Sequence, residues 1–293
     1  MLVSDMFRSC IFSWFDRYTP CRNGPNLHAY RVFFYQRIGH HVAIMSQMLL
    51  IAHRGGSGEA AENTLPAFDL AFRGRADGVE ADVRLTADGV PIMIHDARFD
   101  RTALRPGRVS ETISTDLPEL HVNRWPEMRE SSVHPPRLQE VVRWSAENRV
   151  PLRLHCKGVE REIMNLVRLV TGILWAEGDG AAPAEILSSS PVALAAVRES
   201  HPGVKTGLVV SERVKDPLAR VQAARANWLN MPWASVTETL VQQAHDASLL
   251  VDAWTVNSVK VANALQSLGV DSIATDYPVA IRSAMATEVA IAE

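Results

Sequence analysis

From residue 49 onward, short apolar runs alternate with longer stretches whose apolar residues recur at helical spacing. LLIAH (49–53) is an apolar run of strand length, and TLPAFDLAFRG (64–74) follows with a helical period that closes on Gly74. DGVEADVRL (77–85) and PIMIHD (91–96) read as strands on either side of the turn TADG (86–89). A polar, proline-containing stretch at about 97–136 is predicted to be an insertion with little regular structure. The rhythm then resumes with the helix RLQEVVRWSAEN (137–148), the strand PLRLHCK (151–157) and the helix REIMNLVRLVTGILWA (161–176). AEILSSS (184–190), the helix PVALAAVRES (191–200), KTGLVV (205–210) and NWLNMP (227–232) come next. The helix TETLVQQAHDA (237–247), LLVDAWTVN (249–257), the helix SVKVANALQSLG (258–269), DSIATDYP (271–278) and a closing helix complete the series. About eight strand–helix alternations with short connections predict parallel strands joined by crossover helices. Eight units over about 240 residues suit a closed (β/α)8 TIM barrel better than an open sheet.

Residues 1–48 stand outside this rhythm. Residues 1–44 show no clear periodicity, and Asp5, Arg8 and Asp16 interrupt the apolar runs near the start, so the stretch lacks the apolar centre of a secretory signal. The predicted organisation is an N-terminal extension at 1–48, with Met45 or Met48 as a plausible start, and a barrel at 49–293. Even the run VAIMSQMLLIA (42–52) contains Ser46 and Gln47 and falls short of the eighteen or so apolar residues that span a bilayer. Composition narrows the function classes. A net charge of −3 over 293 residues does not suit a general nucleic-acid surface. Three cysteines give no disulfide framework and fit a reducing compartment. The expectation is a soluble, cytoplasmic protein with no nucleic-acid partner and no stable membrane insertion.

In a barrel of this kind the chemistry sits at the C-terminal ends of the strands, and the polar residues gather there. His53 and Arg54 end the first strand, His95 and Asp96 end PIMIHD, His155 and Lys157 share a face of PLRLHCK, Trp254 ends LLVDAW, and Asp276 ends DSIATD. Glu80 and Asp82 lie two apart on one strand face, with Val79, Ala81 and Val83 on the other. Two inward carboxylates are costly unless paired or metal-bound, and such oxygen-rich pairs hold magnesium or calcium. A salt bridge is their alternative role. Single histidines are more often structural than catalytic, yet two near a carboxylate pair can act as general acid and general base. Arg54 and Lys157 supply charge suited to a phosphate, or else ion-pair with Glu62, Glu80 or Asp82. Glu62 is placed to orient Arg54, and Asn63 or Thr64 to cap the following helix.

With these pieces in order, the chain resembles the glycerophosphodiester phosphodiesterase family. The resemblance rests on His53-Arg54-Gly55, Glu62-Asn63-Thr64 with Ala67-Phe68, and Ala76-Asp77-Gly78 leading to Glu80 and Asp82-Val83. Thr86 with Asp88-Gly89, His95-Asp96 with Arg101-Thr102, WTVN (254–257) and GVDSIATDYP (269–278) continue it, covering about residues 49–282. The resemblance implies a barrel that hydrolyses small-molecule glycerophosphodiesters to glycerol 3-phosphate and an alcohol. It implies acid–base roles for His53 and His95, and a divalent cation held by Glu80, Asp82 and a third-strand glutamate. The substrate's own glycerol hydroxyl would attack phosphorus while Arg54 and the metal stabilise the phosphate charge. Head-group selectivity would come from the insertion and from loops carrying Trp233 and Trp254, either of which could face a choline-like cation. The alcohol and the oligomeric state are left open.

Two positions depart from that pattern. Ala61 replaces a proline usual before Glu-Asn, and His155 stands where the third-strand glutamate belongs, with Arg153 as the next inward residue. Three readings follow for the metal. His155 ligates it and shifts preference towards zinc, manganese or nickel; magnesium binds weakly through Glu80, Asp82 and water; or Arg153 pairs with those carboxylates and no metal binds. The last reading would make the chain a catalytically weak or silent barrel that binds phosphate esters. A phospholipase acting on intact membrane lipid is a third function, disfavoured because no basic amphipathic helix is apparent.

Overall fold

Strand β1 (Leu49–His53) pairs in parallel with β2 (Gly78–Leu85) on one side and β9 (Ser272–Thr275) on the other, which closes the sheet on itself. The computed structural model describes residues 48–122, 125, 132–176, 184–211 and 214–292, with side chains to 285. The expected extension at 1–48 falls outside this range except for Met48. Between β2 and β9 run β4 (Leu152–Cys156), β5 (Ala184–Ser188), β6 (Lys205–Val209), β7 (Trp228–Pro232) and β8 (Leu250–Trp254). The sheet order is β1-β9-β8-β7-β6-β5-β4-β2-β3, so every strand except β3 (Pro91–Met93) belongs to a parallel eight-stranded barrel. The TIM-barrel expectation holds.

The helices cover the outside. They are α1 (Leu65–Arg73), α2 (Leu138–Asn148), α3 (Glu160–Ala176), α4 (Pro191–Ser200), α5 (Pro217–Ala223), α6 (Glu238–Asp246), α7 (Val259–Ser267) and α8 (Pro278–Ala292). Local chemistry explains their starts. Thr64 caps α1 by accepting a hydrogen bond from the Ala67 N–H at 3.3 Å, and Ser190, Asp216 and Thr237 cap α4, α5 and α6 in the same way. Helix α5 was not expected from the sequence. It has seven residues and fully buries only Val221, so no apolar period could develop, and its legible signal was the Asp216-Pro217 start.

PIMIHD, read from the sequence as the strand beyond the TADG turn, forms β3, which is antiparallel to the end of β2 and pairs Leu85 with Pro91 and Val83 with Met93. Strand β2 is eight residues long, β4 five, and the extra length of β2 rises above the mouth before the Thr86–Val90 turn sends the chain back. Gly89 holds φ +77° in that turn. The Ile94 N–H then donates to the Asp82 carbonyl at 2.9 Å, which returns His95 to the level of Asp82. The following segment is mostly irregular among its described residues, with one 3-10 turn at Val109–Glu111. Ile94, Phe99, Ala103, Val109, Leu120 and Val122 pack there with Ala60, Ala61 and Ala67 of the β1–α1 region.

The floor of the barrel is polar. Arg153 is buried, and its Nε donates to Glu185 at 2.9 Å while its Nη1 donates to Asp252 at 2.7 Å and to Ser272 at 2.9 Å. The Trp228 indole donates to Glu185 at 3.1 Å and lies 4.2 Å beneath the guanidinium carbon, and Asn230 donates to Asp252 at 3.0 Å. Arg153 therefore does not neutralise Glu80 and Asp82, which corrects the third sequence-based reading of the metal site. The inward period of β4 gave the right face, but the sequence could not show that Glu185 and Asp252 point at the same spot from other strands. Removing one partner of such a buried set leaves uncompensated charge. Arg153→Met is therefore expected to lower unfolding free energy by about 3–5 kcal/mol. Urea denaturation would measure this, with a smaller loss in Arg153→Met/Glu185→Gln/Asp252→Asn.

Candidate active site

The β1–α1 turn has a backbone demand that explains its composition. Arg54, Gly55 and Gly56 all hold positive φ, at 54°, 81° and 93°. A Cβ at position 55 would run into the Phe68 ring and lie 2.9 Å from Ala67. The turn aims the Arg54 N–H at Glu80 Oε2, 3.1 Å away, and the guanidinium Nη1 at Glu62 Oε1, also 3.1 Å away. Arg54 Nε lies 3.1 Å from Asp82 Oδ2.

His53 and His95 share one arrangement. His53 Nδ1 is 2.6 Å from Asp276 Oδ1, and His95 Nδ1 is 2.6 Å from Asp96 Oδ1. An ionised carboxylate only accepts, so each Nδ1 carries the hydrogen and each Nε2 is left for chemistry. Asp276 is itself held by Ser57 Oγ at 2.6 Å and Asn257 Nδ2 at 2.7 Å, and Asp96 by Arg101 Nε at 2.6 Å. Burial is the strongest influence on His53 and opposes its charge, but the Asp276 hydrogen bond and the Glu80 charge outweigh it and raise the pKa. For His95 burial wins over the Asp82 charge, and the pKa falls.

Between the two imidazoles lie Glu80, Asp82 and His155. His53 Nε2 is 4.0 Å from Glu80 Oε2, and His155 Nδ1 lies 4.0 Å from Glu80 Oε1 and 3.5 Å from Asp82 Oδ1. One ligating atom from each of Glu80, Asp82 and His155 falls within 4.8 Å of the others. Lys157 Nζ sits 3.2 Å from Asp82 Oδ1, and Asn63 Nδ2 donates to Asp82 Oδ2 at 3.2 Å. Burial would raise the Asp82 pKa, but Lys157 and the other cations nearby hold it well below the usual carboxylate range. Burial, then the Asp82 charge, pushes Glu80 up to about 7. Burial and then Lys157 push His155 down to about 3, so its imidazole is neutral.

Around one mouth the structure thus brings together His53, Arg54, Glu62, Glu80, Asp82, His95, His155 and Lys157. Trp254 ends β8, two strands from β1 in the sheet order, and its indole Nε1 is buried without a hydrogen-bond partner. Sequence reasoning gave no task to Asp276, Asp96 or Arg101, and offered Asn63 only as an alternative helix cap; Thr64 takes that place, and the Asn63 side chain holds Asp82 instead. For Asp96 the signal was a carboxylate adjoining a histidine. For Asp276 there was only its place after the last strand, because 223 residues separate it from His53.

Comparison with known proteins places this architecture. YhdW of Bacillus subtilis is 32% identical over 79% of this chain and 95% of its own length. A glycerophosphodiester phosphodiesterase of Bacillus altitudinis is 28% identical over 78% of this chain and 94% of its own. A solved phosphodiesterase from Oleispira antarctica, in complex with the product sn-glycerol-3-phosphate, superposes with a TM-score of 0.75 at 28% identity, covering 81% of this chain and 96% of that one. The fold and these relatives define an enzyme of the phosphoric diester hydrolase class. Residues 53–280 match the glycerophosphoryl diester phosphodiesterase family, and the chain belongs to it.

Proposed function

We propose that this mouth hydrolyses glycerophosphodiesters to glycerol 3-phosphate and an alcohol, using His53 and His95 as its acid–base pair. The observation that carries the proposal is the pair of imidazoles, each held at Nδ1 by a carboxylate 2.6 Å away, beside a single acidic cluster. One Nε2 takes the proton from the attacking glycerol hydroxyl and the other gives a proton to the departing alkoxide, leaving a cyclic glycerol phosphate; with the two roles exchanged, a water molecule then opens that ring to glycerol 3-phosphate. Arg54 and Lys157 offer positive charge to the phosphoryl oxygens. Trp254, at the C-terminal end of β8, is the aromatic residue assigned to the substrate side of the mouth.

The chemistry of the donor set supports a divalent ion. A neutral imidazole nitrogen facing two carboxylate oxygens at 3.5 and 4.0 Å is too distant for hydrogen bonding, and a carboxyl pushed up to about 7 marks a site short of positive charge. Glu80, Asp82 and His155 would hold the ion, which supplies Lewis-acid neutralisation of the phosphate charge. Two oxygens and one imidazole favour manganese or zinc over magnesium or calcium. His155→Glu, which makes the set all-oxygen, is expected to move the optimum ion from manganese towards magnesium, read from activity and from metal affinities by calorimetry. An unchanged order of affinities would contradict the assigned ligand.

Among the described residues no helix is long and apolar enough to cross a membrane, and the substrate is read as a small molecule. The buried free thiol of Cys156 fits a reducing compartment such as the cytoplasm. The test is release of glycerol 3-phosphate from glycerophosphocholine by purified protein with manganese, zinc, magnesium or calcium. No release with any of them, together with thermal stabilisation by glycerol 3-phosphate, would favour the silent phosphate-binding barrel instead.

A further inference from the structure

Arg101 belongs to the segment between β3 and α2, outside the barrel, yet it touches both halves of the mouth. Its Nε donates to Asp96 Oδ2 at 2.6 Å, and the other oxygen of Asp96 holds His95 Nδ1 at 2.6 Å. Its Nη1 and Nη2 donate to Glu62 at 2.6 and 2.7 Å, in the forked geometry that arginine alone provides. Glu62 in turn accepts from Arg54 Nη1 at 3.1 Å. One guanidinium therefore closes a chain that runs from His95 through Asp96, Arg101 and Glu62 to Arg54.

We propose that Arg101 is a positioning residue that sets His95 and Arg54 together, acting through Asp96 on one side and Glu62 on the other. The proposal rests on the acid–base reading of His95 and the phosphate-binding reading of Arg54. Its physics is charge balance. Glu62 faces two cations, so Arg54 keeps positive charge to offer a phosphate. Asp96 faces a permanent cation, so it anchors the His95 ring without drawing a proton onto it strongly. Without Arg101, the full charge of Glu62 falls on Arg54 and the full charge of Asp96 falls on His95. The other groups around His95 stay in place. They are Arg54 from the β1–α1 turn, Asp82 from β2, His155 from β4 and Lys157 just after it, while Arg84 Nε donates to the His95 carbonyl at 2.8 Å. The apolar cluster of Phe99, Ala103 and Val109 holds the segment to Ala60 and Ala61 independently of the guanidinium, so the loop has a second anchor when the fork is removed.

The experiment compares wild type, Arg101→Lys and Arg101→Gln in two readouts. In histidine-labelled protein loaded with zinc, the His95 imidazole titration by nitrogen NMR is expected to move upward by about half a pH unit or more in Arg101→Gln and less in Arg101→Lys. In turnover, the pH limb governed by His95 is expected to move the same way, and KM to rise about tenfold. A fall in Tm with an unmoved His95 titration and unchanged KM would reduce Arg101 to a structural tie and overturn the proposal. Because the NMR titration needs no turnover, an inactive wild type whose His95 titration still moves would refute the enzymatic reading and leave the positioning role standing.

Discussion

His53→Ala and His95→Ala are each expected to lower kcat by about 10²- to 10⁴-fold, the range of a single well-placed acid or base, with KM changed far less. The reason is geometric. Each ring is fixed by a carboxylate at Nδ1, so under the proposed mechanism its contribution is a proton moved at Nε2, which substrate binding does not require. The double variant is expected to lose little more than the worse single variant, because the two rings serve one proton inventory. Asp276→Asn and Asp96→Asn keep the rings but weaken the Nδ1 anchor and permit the wrong tautomer, so smaller kcat losses are expected. A residual kcat within threefold of wild type in His53→Ala or His95→Ala, measured by glycerol 3-phosphate release, would remove that residue from the chemistry.

Loss of the acidic cluster is expected to have an effect of similar size. Glu80→Gln, or exhaustive chelation of wild type, should reduce kcat/KM by at least about 10²-fold, since an ion at a phosphoryl oxygen contributes several kcal/mol. A calorimetric titration gives an activity-free counterpart: wild type freed of metal should bind manganese, and Glu80→Gln should not. Stability adds a sign that can be checked. The Glu80 carboxyl, raised to about 7 in the folded, metal-free protein, binds a proton there that the unfolded chain releases near 4.5. Its contribution is therefore present below pH 4.5 and is lost as pH rises through about 7. Relative to Glu80→Gln, metal-free wild type should lose stability over that window, and manganese should restore it at neutral pH. A flat difference across the window would contradict the burial assigned to this carboxyl.

Much of this was legible in the chain because two periods carry most of the fold. The alternation of Val79, Ala81 and Val83 with Glu80 and Asp82 marked both the outward and the inward face of β2, and the structure keeps that division, with all five buried. The same period put Arg153 and His155 on one inward face. What the period could not carry was direction and distance across the sheet. PIMIHD has the composition of a strand whichever way it runs, and only the antiparallel register with β2 explains why His95 reaches Asp82. The partners of Arg153 were hidden for a related reason: Glu185 and Asp252 stand 32 and 99 residues away. The bracing of Glu62 by Arg101, 39 residues on, could not be read locally either. Local chemistry did better: of the two caps offered, Asn63 and Thr64, Thr64 caps α1, and Glu62 holds Arg54 as expected.

The central claim is that both imidazoles and the acidic cluster act on one phosphoryl group, and a crystal structure of wild type with manganese and glycerol 3-phosphate tests it most directly. The expected result is an ion held by Glu80, Asp82 and His155, with the phosphate on that ion and on Arg54, and with the His53 and His95 Nε2 atoms both within hydrogen-bonding reach of the ligand's oxygens. A phosphate bound away from the cluster, or within reach of only one imidazole, would contradict the account.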